Sequence, residues 1–246
     1  MELRETVVNG VALRESGETL CLSTDALLLS AFIRKNGKVH ALELGAGSGV
    51  ISLLLAKRGA FRRITAVEIQ KELARLCGNN VINNGFSDVI DTKCADVREL
   101  SQSVIGGVSV IYANPPYMEV GRGRESESHS RNVARHEVCG GMREFTDCAG
   151  RLLKTGGRYY TVYRPDRLET LFASLKENRL SPKRMTFVTL DAEHSPSSVL
   201  TEAVKDGSQS LFLTPVLYLK KPDGSDSENA KFIYENGVFP SEFFRI

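Results

Sequence analysis

The sequence predicts a doubly wound α/β fold with a mostly parallel sheet, and three observations carry that prediction. The first is an apolar run at 39–44 that leads into Glu43-Leu44-Gly45-Ala46-Gly47-Ser48-Gly49 and then into a helical stretch at 50–57. Strand, glycine turn and helix in that order make a glycine pattern informative. Each glycine lets a ligand approach backbone that a Cβ would block, and the helix start offers unpaired N–H groups. The second is an apolar run at 64–67 that ends on Glu68, 23 residues after Gly45. An acidic side chain at that strand tip can accept both hydroxyls of a ribose. The third is the run 108–113 followed by Asn114-Pro115-Pro116-Tyr117. Two prolines remove two backbone donors and fix φ at both positions, so the strand cannot continue its ladder. Its carbonyls and the Asn114 carboxamide can then face outward beside an aromatic ring.

Composition narrows the class. The 246 residues are 41% hydrophobic and 25% charged, ordinary for a soluble globular protein and enough for one sizeable core. Lys+Arg 32 against Asp+Glu 30 leaves a net charge of +2, so any electropositive surface must be local. The five cysteines are scattered with no C-x-x-C, and the four histidines do not join them at metal-site spacing. A reduced, cytoplasmic setting, no metal and no membrane partner are expected.

Taken in order, residues 3–22 alternate loosely around Asn9-Gly10 and Ser16-Gly17, which predicts a small hairpin or two short strands. Ser23 or Thr24 can cap a short helix over 26–33, and Asp25 suits its positive end. After Glu68, residues 70–84 fit a helix with Leu73, Leu76, Cys77 and Val81 on one face, broken at Asn83-Asn84-Gly85. A third strand at 89–94 is followed by Asp96, which either meets a ligand at the sheet edge or caps the next short helix. Ligands of such sheets sit beyond the carboxyl ends of the strands, so Glu43, Glu68, Asp96 and Asn114 should converge there. Residues 118–140 hold Arg122, Arg124, Arg131 and Arg135, diluted by Glu125 and Glu127. They read as a loop beside the fourth strand that either contacts phosphates or is merely solvated. A helix over 144–153, a helix stop at 154–157, a strand at 158–163, a helix at 165–178 and a strand at 184–190 follow. Strands at 199–205 and 211–219, joined at Asp206-Gly207, predict a C-terminal antiparallel hairpin. Residues 222–230 read as a polar turn. The organisation expected is one domain over 1–246: an N-terminal extension over 1–37 that covers the cofactor, a core sheet over 38–220 and a tail over 221–246.

The glycines fall as G-x-G-x-G rather than G-x-G-x-x-G, with Glu43 two residues ahead. A carboxylate at the mouth of the loop would repel a pyrophosphate but suits a cation. S-adenosylmethionine carries a sulfonium and an ammonium and no phosphate, which favours it over a dinucleotide.

With E-L-G-A-G-S-G as a first motif and N-P-P-Y as an amino-methylating motif, the chain resembles the class I S-adenosylmethionine-dependent methyltransferases, a Rossmann-like fold on a seven-stranded sheet. Ser23-Thr24-Asp25-Ala26-Leu27-Leu28-Leu29, Ala134-Arg135-His136-Glu137 and Gly156-Gly157 make it most similar to the bacterial tRNA(Val) adenine-N6 methyltransferases. That resemblance implies a tRNA substrate, modified at the adenosine adjacent to the anticodon, and a monomer or weak dimer. It puts Glu43, Gly45, Ala46, Gly47 and Gly49 around the methionine and ribose of the donor, and Glu68 with Ile69 at the ribose. Asp96 and the Val97 backbone would meet the adenine, and Thr24 and Asp25 would cover the methionine end. Asn114, Pro115, Pro116 and Tyr117 would hold the target amine, with Asn114 also next to the donor. Apart from the resemblance, their place directly after N-P-P-Y makes Arg122, Arg124, Arg131 and Arg135 the candidates to touch substrate. A methyltransferase for a release-factor glutamine can use the same N-P-P-Y. Such enzymes usually carry an N-terminal helical domain, for which the 37 residues before the first strand are too few. A guanine-N2 enzyme typically resembles N-P-P-F, and a non-catalytic RNA-binding scaffold has no need of an intact N-P-P-Y.

Overall fold

The computed structural model describes residues 3–16, 23–116 and 141–244. Tyr117, Arg122, Arg124, Arg131 and Arg135 therefore lie outside the described residues. An N-terminal hairpin of β1 (Leu3–Val8) and β2 (Val11–Ser16) precedes α1 (Thr24–Phe32), β3 (Asn36–Leu44), α2 (Val50–Lys57), β4 (Phe61–Glu68), α3 (Lys71–Asn83), β5 (Ile90–Cys94), the short α4 (Gln102–Ile105) and β6 (Val108–Ala113). Then come α5 (Met142–Leu152), β7 (Leu153–Tyr163), α6 (Leu168–Glu177), β8 (Leu180–Thr189), β9 (Ser198–Lys205), β10 (Phe212–Leu213), β11 (Leu217–Tyr218) and α7 (Glu228–Asn236).

The hairpin turns at Asn9-Gly10 with φ of 49° and 71°, the left-handed pair that a two-residue turn needs. The main sheet runs β10-β8-β9-β7-β6-β3-β4-β5, with β11 also pairing β8. Its seven long strands, β3 to β9, are those expected. Strands β4 and β5 lie on one side of β3 and β6 and β7 on the other, all parallel. The strand order reverses at β3, so the ligand crevice of a doubly wound sheet falls at its carboxyl end. Alternation along the strands fills two layers: Ala41 and Tyr112 face one core, Leu42, Leu44 and Ile111 the other.

The antiparallel hairpin near the C-terminus is present, but its partners differ from those expected. Strand β9 pairs antiparallel with β8 and β7, while β10 and β11 run parallel to β8 and do not pair with β9. Strand β8 starts at Leu180, earlier than expected, because a register shift between Pro182 and Arg184 absorbs the missing proline donor. Residues 228–230 are not part of a polar turn. They open α7, where the Ser227 hydroxyl accepts from Ala230 N at 3.1 Å and Gly237 closes the helix at φ 65°. Among the described residues no helix is long and apolar enough to cross a membrane.

Two arginines bind the segment after α7 to the end of α1. Arg58 donates to the Gly237 and Ile33 carbonyls, each at 2.7 Å. Arg184 and Glu202 are a cross-strand pair with both side chains fully buried, Nε to Oε2 at 2.9 Å. The remaining Arg184 nitrogens reach the Phe243 carbonyl at 3.1 Å and the Phe32 carbonyl at 2.7 Å, and its guanidinium lies 3.6 Å from the Phe32 ring centroid. Arg34 and Arg158 also bond Glu202.

Candidate active site

The glycine turn between β3 and α2 has Gly45, Gly47 and Gly49 at φ 69°, 57° and 87°, a conformation that side chains resist. The three glycines serve different ends. A Cβ on Gly49 would stand 2.6 Å from Cys77 Sγ, and one on Gly45 3.1 Å from the Phe145 ring. These two let the turn pack against α3 and α5. A Cβ on Gly47 would meet nothing within 4 Å, so this is the glycine that faces open space. Ala46 is buried and donates its N–H to the Val67 carbonyl at 2.9 Å, tying the turn to β4.

Glu68 ends β4 beside that opening. Its Oε2 accepts from Gly47 N and its Oε1 from Gln70 N, both at 2.9 Å. Burial pushes its pKa up while these backbone donors pull it down. The Ile69 backbone also bonds the carboxylate, so three backbone donors hold it and about one of its four acceptor sites is left for a ligand hydroxyl. Ile69, next along, is half-buried.

Glu43 does not stand at the mouth of the loop. It is 2% exposed and lies under the turn, where its Oε2 accepts from Ser52 N at 3.2 Å and from the Ser52 hydroxyl. That hydroxyl lies 2.7 Å from the Tyr112 hydroxyl, so the network joins β3, α2 and β6. Burial pushes the Glu43 pKa up to about 8, and at neutral pH the protonated form prevails. The expectation that Glu43 repels phosphate at the mouth therefore fails: strand alternation points it into the core, not at the ligand. Ser48, not singled out in the sequence, is also buried. Its Oγ has no hydrogen-bond partner among the described residues.

Asn114 follows β6. Leu44 and Ala113 are register partners, so Asn114 and Gly45 are the next residues of two adjacent strands. Asn114 and Pro116 are half-buried and Pro115 is buried. Asp96 lies two residues beyond Cys94, the register partner of Glu68. It caps a turn rather than the next helix: its Oδ1 accepts from Arg98 N at 2.9 Å, and α4 begins only at Gln102. Val97 is buried, with its carbonyl held by Arg151 at 3.2 Å. Ser23 is the helix cap, its hydroxyl accepting from Ala26 N at 3.1 Å. Thr24 and Asp25 occupy the first turn of α1, which packs on α2.

Glu68, Asp96 and Asn114 thus line one edge around an opening at Gly47, with an orphaned buried hydroxyl in the same turn. These groups fit a nucleoside-bearing cationic donor. The fold and the edge define a class I S-adenosylmethionine-dependent methyltransferase. The chain belongs to the methyltransferase small domain family, whose model matches residues 22–177. It is 29% identical over 195 residues to the tRNA1(Val) (adenine(37)-N6)-methyltransferase of Porphyromonas gingivalis, covering 76% of each chain. It is 32% identical over 142 residues to the enzyme of the same name in Dickeya chrysanthemi, covering 57% of this chain and 55% of that one. Among solved structures it resembles a predicted O-methyltransferase from Agrobacterium tumefaciens, with a TM-score of 0.70, 19% identity and 87% and 96% of the two chains covered.

Proposed function

We propose that the chain methylates the exocyclic N6 of an adenosine in tRNA, at the position next to the anticodon of a valine tRNA, with S-adenosylmethionine as donor. The observation that carries this reading is the position of Asn114-Pro115 at the tip of β6, in register with the glycine turn. The names of the similar enzymes supply the substrate.

The donor supplies an electrophilic methyl on a sulfonium. An adenine amine is a poor nucleophile because its lone pair is delocalised into the ring. The Asn114 side-chain oxygen and the Pro115 carbonyl each accept one of its N–H groups, which turns the nitrogen toward sp³ and aims its lone pair. The N–C bond forms as the S–C bond breaks, and sulfur keeps that electron pair. Positive charge grows on the nitrogen, so two fixed acceptors stabilise the transition state more than the ground state. The product cation is acidic and loses its proton to solvent. Glu68 orients the ribose and takes no part in proton transfer.

Mass spectrometry of nucleosides from tRNA incubated with enzyme and donor should find N6-methyladenosine. Methylglutamine in a release factor, with no change in the tRNA, would reverse the reading. Asn114→Ala should lower kcat by about 100-fold or more with donor affinity nearly unchanged; wild-type turnover by that variant would sink the mechanism.

A further inference from the structure

We infer that the amino end of the sheet, at the starts of β3, β4 and β7, binds the phosphate backbone of the paired arms of the tRNA. The inference rests on the reading of tRNA as the substrate and places a second contact surface away from the donor edge. Five exposed cations come together there: Lys35 and Lys38 at the start of β3, Arg62 and Arg63 at the start of β4, and Lys154 at the start of β7. His40 links them. Arg63 is its register partner, and the Gly107 backbone bonds its ring. A Cβ on Gly107 would in turn stand 3.2 Å from Lys154 Nζ. Burial and then Arg63 hold the His40 pKa down, against Asp91 and with help from Arg62, as a positive potential requires.

Against the five stand Asp91 on β5 and Asp88 ahead of it. Among the described residues only Arg63 of the five pairs with a carboxylate, that of Asp91 at 3.4 Å, which Lys93 shares at the same distance. Lys35 donates to the Arg58 carbonyl at 3.2 Å, a neutral partner that leaves its charge uncompensated. The carboxyl end of the sheet differs, since there Arg98 is taken up by Asp96 and Arg164 by Asp166. With a net charge of only +2 on the chain, the cations at the amino end are a local surplus suited to a polyanion. Strands β4, β3, β6 and β7 are consecutive and about 4.8 Å apart, so Arg62 and Lys154 bound a stripe about 14 Å wide. Lys38 stands six residues before Leu44, about 20 Å from the glycine turn beside Asn114. Phosphates at that distance do not flank the target nucleotide; they belong to the paired arms.

The test is the Kd of a full-length tRNA(Val) transcript, read by fluorescence anisotropy across a salt series. One variant combines Lys38→Gln, Arg62→Gln and Lys154→Gln. A control of equal charge change combines Lys220→Gln, Lys221→Gln and Lys231→Gln, which pair with acids around α7. The first variant should bind about tenfold more weakly at 150 mM salt, and its slope of log Kd against log salt should fall by about 2–3. Its affinity for S-adenosylhomocysteine and the binding of tRNA by the control should match the wild type. Unchanged tRNA binding in the first variant, or equal loss in both, overturns the inference. Loss of binding to phosphatidylserine vesicles with tRNA binding intact would assign the surface to a membrane and overturn it as well. Weakened tRNA binding in the first variant, with no N6-methyladenosine made by the wild type, would leave this surface standing and sink the proposed reaction instead.

Discussion

Asn80 Nδ2 donates to the Ser48 carbonyl at 3.0 Å, so the glycine turn is fastened to a buried side chain of α3. The same carboxamide exchanges two bonds with the Arg14 backbone, at 3.0 and 3.1 Å. One turn on, Asn84 does the same for Ala12, at 2.9 and 2.7 Å. Two amides at i and i+4, one in α3 and one at its C-cap, thus serve the edge of β2 that β1 does not pair. Asn80→Ala strands three backbone groups at once. It should cost about 2–4 kcal/mol in urea unfolding and weaken donor binding as well, because the turn loses its tether.

The glycines of that turn should separate stability from binding. Gly49→Ala forces a Cβ against Cys77 Sγ at 2.6 Å with φ at +87°, and about 2–4 kcal/mol of stability should be lost. Gly47→Ala has room, so its cost should be only about 1–2 kcal/mol for the left-handed backbone. Its methyl projects into the opening, and calorimetry should show a large loss of affinity for S-adenosylhomocysteine. Undiminished affinity would remove the opening at Gly47 from the donor site.

Glu43 makes stability depend on pH. Its pKa is raised by burial from 4.5 to about 8 in the folded chain. Below pH 4.5 both states are protonated and its contribution is whole. Between 4.5 and about 8 the unfolded chain binds fewer protons, so stability falls as pH rises. Glu43→Gln keeps an acceptor for Ser52 and cannot ionise. Its thermal midpoint should gain on that of the wild type across this window; a constant difference would mean that Glu43 is ionised in the fold. Glu68, also raised, leaves a residual slope of the same sign.

Glu202→Gln leaves Arg184 buried without a carboxylate and should cost about 3–5 kcal/mol in chemical denaturation. Replacing both residues, as in Glu202→Leu with Arg184→Met, should recover much of that loss, since no charge of the pair is left buried. If the double variant is no better than the single, the pair stabilises more than its apolar replacement.

The motifs legible in the sequence are those whose cause is local. A left-handed turn demands glycines, a strand tip bears its acid, and Pro115-Pro116 ends a ladder by its own covalent structure. Asn114 and Glu68 could be placed from such signals, but the direction of Glu43 could not. Its spacing before Gly45 suggested the loop's mouth, whereas the alternation of β3 turns it inward onto Ser52. Asn83-Asn84-Gly85 signalled a helix end, which Asn83 duly is. The pairing of Asn80 and Asn84 with β2 depends on a contact 66 to 72 residues away and leaves no local mark. The α7 helix was legible in hindsight: Ser227 and Gly237 are its start and stop, but its charged residues obscure the apolar face of Ala230 and Ile233.

The bonds from Arg58 and Arg184 to the end of α1 and to the segment after α7 also bear on the order of folding. Arg58 and Gly237 are 179 residues apart, and Arg34 and Phe244 are 210 apart. Contacts of such separation carry a large loop-closure entropy and form after the local ones. Until they close, Arg184 and Glu202 have only each other and Arg34 and Arg158 as partners, at a site that water can still enter. The candidate donor edge lies on strands β3 to β6, which pair with one another at shorter range. Donor binding should therefore appear during refolding before amides near Phe32 and Phe243 become protected from hydrogen exchange, so the half of the sheet with the candidate site matures before the clasp that seals the other half.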